Sequence, residues 1–403
     1  MFFELTVLGV FLVLMCLYLY MKRKNIALQK ILFPIFYIVM VRTNFGMKLM
    51  DKIAKKYRGW VKLFGYCSIG IGFVGMAYIS LSIVLFVVNL IFRPELSQPG
   101  VSLVLPFTNI PGIGYLSFSH WILCLFVLAL IHEFAHGVVA RAHNVKVKST
   151  GFAVFAILFP VIPAAFVEPD EKQLAKEADV VQYSVFAAGP VINIVLAFLI
   201  ILAFPFAADI TNSKLAPFED QLSYGNGFSY SVLEDDYPAR DAGMENSIIT
   251  HVNGEKLNDY SDFYKQMLPI KPGETVVLET EAEEYSLVAI ESPTDSSRGF
   301  IGIKPEKNER RVHEQYQGIA PYYYWVRGLI KWMFLLNFFI GLANLLPLGI
   351  VDGGRMLQTA LHSVYNDKKK AQKMWGFVGM VFVSGLLFAL LVNYFGNPFS
   401  LFW

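Results

Sequence analysis

Six long apolar runs constrain this chain more than anything else in it: about 2–21, 64–92, 119–141, 181–206, 320–347 and 374–396. A helix rises about 1.5 Å per residue, so about 20 apolar residues cross the roughly 30 Å hydrocarbon layer of a bilayer. Inside that layer the backbone must satisfy its own hydrogen bonds, and continuous runs of this length do so as helices. Composition agrees: 55% of the 403 residues are hydrophobic and 16% charged, with a mean hydropathy of +0.48. The expected class is a mainly α polytopic membrane protein with six transmembrane helices, in contact with lipid along most of its length. The net charge of +2 offers no global basis for binding nucleic acid. Cys16, Cys67 and Cys124 all fall in apolar runs, with neither a CxxC spacing nor a disulfide framework.

The charge is unevenly spread. Lys22 to Lys62 carries eleven bases against the single acid Asp51, whereas the polar stretch from about Asp209 to Glu314 has roughly two acids per base. Basic flanks mark the cytoplasmic side, so the basic loop lies inside and the N-terminus outside. The charges Lys22, Arg23 and Lys24 follow the first apolar run instead of preceding it, which reads as a retained span and not a signal peptide. A basic run beside two spans is a membrane flank, and no nucleic-acid partner is expected. The second span then exits near Arg93, and residues 94–120 should lie along the outer surface.

Two shorter apolar runs do not fit as spans. Gly151 to Val167 contains Pro160 and Pro163; if it crossed, Lys368, Lys369 and Lys370 would lie outside, against the positive-inside rule. A re-entrant extended segment fits better. Ile31 to Val41, interrupted by Pro34, is too short to cross and is expected at the interface. Between the fourth and fifth spans lie about 110 residues of soluble character. Strand-like pieces there (228–233, 247–254, 275–280, 285–290) are interrupted by one helical piece, 260–268, and read as a small α+β extracytoplasmic domain. The expected organisation is 1–93, a two-span region with a basic cytoplasmic loop; 94–206 and 318–403, two parts of one membrane core; and 207–317, the inserted domain.

Within the third span stands His132-Glu133-Phe134-Ala135-His136. HExxH on a helix puts two imidazoles on one face at a spacing that suits Zn²⁺, with the Glu as general base toward a water activated by the metal. Ionisable groups in hydrocarbon are costly, and a pair of satisfied core histidines beside a buried Glu is the blander reading. A catalytic zinc site takes three protein ligands. Ala142 stands where a metzincin continuation needs His, and His143, one residue out of that register among surface bases, is expected to be exposed. Glu168 and Glu171 are further candidates, in a charged stretch that looks solvated. Asp352, after Pro347 and before Gly353 and Gly354, lies by topology on the inner side, level with HEFAH. An Asp before Gly-Gly is also an ordinary turn residue, so residues alone leave the third ligand open.

The HExxH-bearing span, Gly189 and Asn193 as a GxxxN element, and the NxxPxxxxDGG stretch Asn344 to Gly354 occur in one order. Together they resemble the site-2 protease family of intramembrane zinc metalloproteases, over about 94–206 and 320–396. The resemblance implies one Zn²⁺ per chain held by His132, His136 and Asp352, with Glu133 as catalytic base. It implies that Asn193 and Asn344 line the substrate cleft, and that the partner is a transmembrane protein, already cleaved once, cut within or near its membrane segment. The pieces 238–244, 248–254 and 272–276 resemble the PDZ-like inserts of that family. A membrane zinc scaffold or transporter without hydrolytic activity is the rival class. Transport would want several ionisable residues along a path through the membrane, and outside HEFAH and Asp352 the spans hold almost none.

Overall fold

The structure, a computed structural model, describes every residue except 1, 33–35, 94–100, 102, 111–112, 158, 205–215, 234–236, 366 and 399–403. The chain divides into two compact units, Met1–Ile210 with Arg327–Trp403, and Thr211–Val326. The first part of the larger unit runs α1 (Phe2–Met21), β1 (Ile26–Leu32), β2 (Phe36–Thr43), α2 (Met47–Lys56), α3 (Arg58–Phe92), the short strands β3 (Thr108–Ile110) and β4 (Gly114–Leu116), α4 (Phe118–Ala142), β5 (Val147–Ile157), β6 (Phe159–Pro169), α5 (Glu171–Leu174) and α6 (Asp179–Ala203). Residues 94–100 of the segment expected at the outer surface lie outside the described residues.

The strands β1, β2, β5 and β6 form one antiparallel sheet in that order. The expected extended segment 151–167 is the larger part of β5 and β6. The run Ile31 to Val41 is not among the long apolar helices, and its extended conformation was not anticipated. Its described ends are strands, Ile31 and Leu32 in β1 and Phe36 to Val41 in β2, and β2 pairs with β5 in unbroken register from Phe36↔Ile157 to Thr43↔Thr150. Extended backbone in apolar surroundings must find partners for its N–H and C=O groups, and β5 supplies them. Met15 of α1 packs with Val39 of β2 and Val154 of β5, closing one face of this sheet. Glu4, the sole charged residue of α1, accepts hydrogen bonds from the Ser119 backbone N–H (2.7 Å) and hydroxyl (2.8 Å). A carboxylate at a helix N-terminus meets unpaired N–H groups and the positive end of the dipole, so this contact docks α1 on the start of α4.

The inserted unit holds α7 (Ala216–Leu222), β7 (Ser223–Val232), α8 (Pro238–Asp241), β8 (Ile248–Val252), β9 (Glu255–Lys256), α9 (Tyr260–Met267), β10 (Thr275–Thr280), β11 (Glu284–Val288), β12 (Ile290–Ser292), β13 (Asp295–Phe300) and β14 (Ile303–Val312). Its main sheet is antiparallel in the order β11-β10-β8-β7-β14, with β9 hydrogen-bonded to β8. Alternation buries Val276 and Leu278 of β10 with Phe228, Tyr230, Ile249 and Phe263 in one core. Asp259 caps α9, its side chain accepting from the Asp262 N–H.

From Arg327 the chain completes the larger unit with the rest of α10 (Ala320–Ala343), then α11 (Asp352–Val364) and α12 (Lys368–Phe395). Among the described residues, six helices are long and apolar enough to cross a membrane: α1, α3, α4, α6, α10 and α12. They coincide with the six apolar runs. The second of them is no peripheral addition. Gly65 of α3 faces Val139 of α4 and Ser184 of α6, and Gly72 faces Ala187 of α6 and Met356 of α11. Small residues let helix backbones approach closely where lipid gives no hydrophobic drive to associate. A Cβ on Gly72 would stand 2.9 Å from Met356 Cε, while one on Gly70 meets nothing within 4 Å. Gly72→Leu is expected to lower the thermal midpoint of the solubilised protein, costing about 1–3 kcal/mol of overpacking. Gly70→Leu is expected to leave the midpoint near wild type in the same unfolding measurement.

Candidate metal centre

The site is built on α4, α6 and the start of α11. On α4 the residues at i and i+4 share a face, and His132 and His136 are both buried there. Their Nε2 atoms lie 3.1 Å apart. Asp352 Oδ2 is 3.1 Å from His132 Nε2 and 3.3 Å from His136 Nε2. Four ligands about 2.0–2.1 Å from a tetrahedral zinc lie about 3.3–3.4 Å from one another. The three atoms therefore stand almost at the corners that such an ion requires, and they form a group able to hold a metal ion. No other such group occurs among the described residues.

Neighbouring groups orient the set. His136 Nδ1 donates to the Val185 carbonyl of α6 at 2.6 Å, which leaves Nε2 with its lone pair toward the centre. Gly189, one turn further along α6, forms the floor: a Cβ there would stand 2.3 Å from His136 Nε2 and 2.7 Å from His132 Nε2. Only hydrogen at this position leaves room for an ion. Asn193, one turn on again, is fully buried, and its amide lies 3.2 Å from His132 Nδ1.

Asp352 arrives from a different part of the chain. The helix α10 ends at Ala343, four residues before Pro347, where the proline ring would clash with the carbonyl four back. The following turn brings the chain back on itself. The Gly353 N–H donates to the Asn344 carbonyl at 2.8 Å, and a Cβ on Gly353 or Gly354 would collide with the carbonyls of Leu345 or Leu348. The glycines thus serve a close approach to this chain's own preceding loop. Asp352 is the first residue of α11, where the helix dipole favours its charge. The half-buried Asn344 contributes its backbone carbonyl to this turn.

Glu133, between the histidines, turns toward the sheet: its Oε2 accepts the Val167 N–H of β6 at 2.8 Å. β6 is an edge strand of the sheet. Two cavities meet here. A small one of ≈ 200 Å³ is bordered by Glu133, His136 and Asp352 and by the ion pair Glu171–Arg355. A large, mainly apolar one of ≈ 1370 Å³ is bordered by Phe134, Phe152 and Trp60. Glu133, Phe166 and Val167 line both.

The other acids and the third histidine are engaged elsewhere. Glu171 pairs with Arg355. Glu168 accepts from the Ser149 hydroxyl at 2.7 Å and the Arg42 guanidinium at 3.3 Å, and these hold its carboxyl below the usual range. His143 is buried, against the expectation of exposure, because the end of α4 packs between α3 and α6: its ring meets Tyr66 edge-on and its Nε2 is 3.3 Å from Ser184 Oγ. The Val185 carbonyl and the Val167 N–H carry no sequence signal, since any residue offers a backbone group. Gly189 did carry one, as the first position of GxxxN, but not the reason for it.

Comparison with known proteins identifies the family. The chain is 28% identical over 326 residues to an uncharacterised protein of Methanocaldococcus jannaschii, covering 78% of this chain and 74% of that one. It is 23% identical over 201 residues to the zinc metalloprotease RasP of Geobacillus kaustophilus, covering 38% of this chain and about half (48%) of the relative. Part of the chain is similar to the PDZ domain of an SdrC-like protein from Listeria monocytogenes, at 22% identity and a TM-score of 0.18, covering 20% of this chain and 87% of that domain; this likeness is too slight to argue from. The model of peptidase family M50 matches residues 120–386, the stretch that holds all three ligand-type side chains and Glu133. The chain belongs to peptidase family M50, the site-2 protease family of metalloproteases.

Proposed function

We propose that the chain is a zinc endopeptidase that hydrolyses peptide bonds within or near transmembrane segments of other proteins. One observation carries the reading: two imidazole nitrogens and a carboxylate oxygen converge at 3.1–3.3 Å inside apolar helices, with Glu133 between the histidines. His132, His136 and Asp352 would hold the ion and Glu133 would act as base. A zinc ion held there would polarise the scissile carbonyl and lower the pKa of a water bound to it.

The chain's own residues do the rest. The Glu133 carboxylate takes a proton from the attacking water and returns it to the leaving amine nitrogen. The Val167 N–H holds that carboxylate at the junction of the two cavities. A peptide in a transmembrane helix hides its carbonyls, so it must unwind first. The edge of β6 offers backbone groups on which it can lie extended. The apolar cavity suits its side chains, and the small polar cavity suits the approach of water. Asn344, half-buried beside the Asp352 turn, is assigned to the substrate cleft.

The basic stretch 22–62 supports a site toward the cytoplasmic face and an extracytoplasmic inserted domain. That domain is assigned as PDZ-like, selecting chain ends or filtering by size, so that the partner is a transmembrane protein already trimmed by a first cleavage.

Glu133→Gln is expected to lower cleavage of a transmembrane reporter by at least about 10²-fold while zinc content stays at one per chain; cleavage at the wild-type rate would sink the mechanism. Asp352→Ala is expected to lose most bound zinc on purification, and normal content measured by atomic absorption would refute its role as ligand. Gly189→Ala is expected to lose zinc as well, although it removes no ligand. Full metal occupancy in that variant would contradict its role as floor of the site.

A further inference from the structure

The GxxxN asparagine is enclosed by protein on every side. Asn193 has no exposed surface, and its amide is packed at 3.2 Å from Nδ1 of His132, the ring nitrogen turned away from the metal-ligand cluster. Its other amide atom, Oδ1, is buried without a hydrogen-bond partner. An imidazole that gives the Nε2 lone pair to a cation carries its proton on Nδ1, and that proton needs an acceptor in a buried site. His136 meets the same demand through the Val185 carbonyl. For His132 the group in reach is the Asn193 amide. The two ends of an amide are nearly isosteric, so rotation by 180° about the last side-chain bond presents the carbonyl oxygen in place of the NH₂.

We propose that Asn193 is a positioning residue for the metal: its side-chain carbonyl accepts the His132 Nδ1 proton, fixing the tautomer that leaves Nε2 free to ligate. The inference rests on the zinc reading above and gives Asn193 a role apart from the substrate. It also accounts for the spacing of the motif. Gly189 and Asn193 lie one turn apart on one face of α6, so the first makes room for the ion beneath both rings while the second holds one ring from behind.

The test is zinc affinity of the purified full-length protein, measured by competition with a chromophoric chelator, alongside the visible spectrum of the Co²⁺-substituted protein and thermal unfolding. Asn193→Leu keeps the volume but offers no acceptor, and is expected to bind zinc about 10–100-fold more weakly, with an altered Co²⁺ spectrum. Asn193→Asp keeps an acceptor oxygen and is expected to remain within about threefold of wild type, well inside the loss typical of a removed outer-shell partner. If Asn193→Leu binds zinc as wild type does, the inference is overturned while the zinc reading stands. If Asn193→Asp is as weak as Asn193→Leu, loss of packing and not of the acceptor is responsible, and the inference is again overturned. A wild-type chain that binds no zinc overturns the zinc reading itself and this inference with it.

Discussion

Three ionisable side chains buried among apolar helices are the constraint on which the rest of this architecture depends. A carboxylate or imidazole taken out of water without partners is costly, and here both histidines are buried while the Asp352 side chain is only 15% exposed. They offset the cost by facing one another at the separations of a tetrahedral metal shell. Each neighbouring element is shaped to that end. The residues 189 and 193 of α6 pack beneath and behind the rings, and the turn after α10 folds back on itself, over two glycines, to carry Asp352 into place.

The same economy of polar groups explains the sheet. Extended backbone within a membrane protein survives only where its hydrogen bonds are made. The β1–β2 hairpin and β5 pair, and β6 remains at an edge beside Glu133. An edge strand is normally a liability because it invites another chain. In the proposed reaction, where an unwound peptide must be held, that invitation suits the task.

Much of this was legible in the sequence where the signal was local and strong. Continuous apolar runs mark the six long helices, because no alternating pattern competes with them. HExxH needs only its helix to bring two rings together. The DGG aspartate needed a resemblance, since 220 residues separate it from His132 and no local rule connects them. The hairpin of β1 and β2 was hidden because its meaning lies in pairing with β5, a partner more than a hundred positions away. Strand β14, with Lys304, Lys307, Glu309, Arg310 and Arg311, leaves no sequence signal for a different reason: it is the outermost strand of its sheet and largely exposed, so it shows no apolar alternation. The bases flanking His143 in sequence suggest exposure, whereas its burial comes from two other helices closing over the end of α4.

X-ray absorption at the zinc edge of the purified protein tests the central claim most directly. The account predicts one zinc per chain with a shell of light ligands at about 2.0–2.1 Å, two of them showing the outer-shell scattering of imidazole, and no sulfur. A shell containing sulfur at about 2.3 Å, or one without two imidazoles, would contradict it.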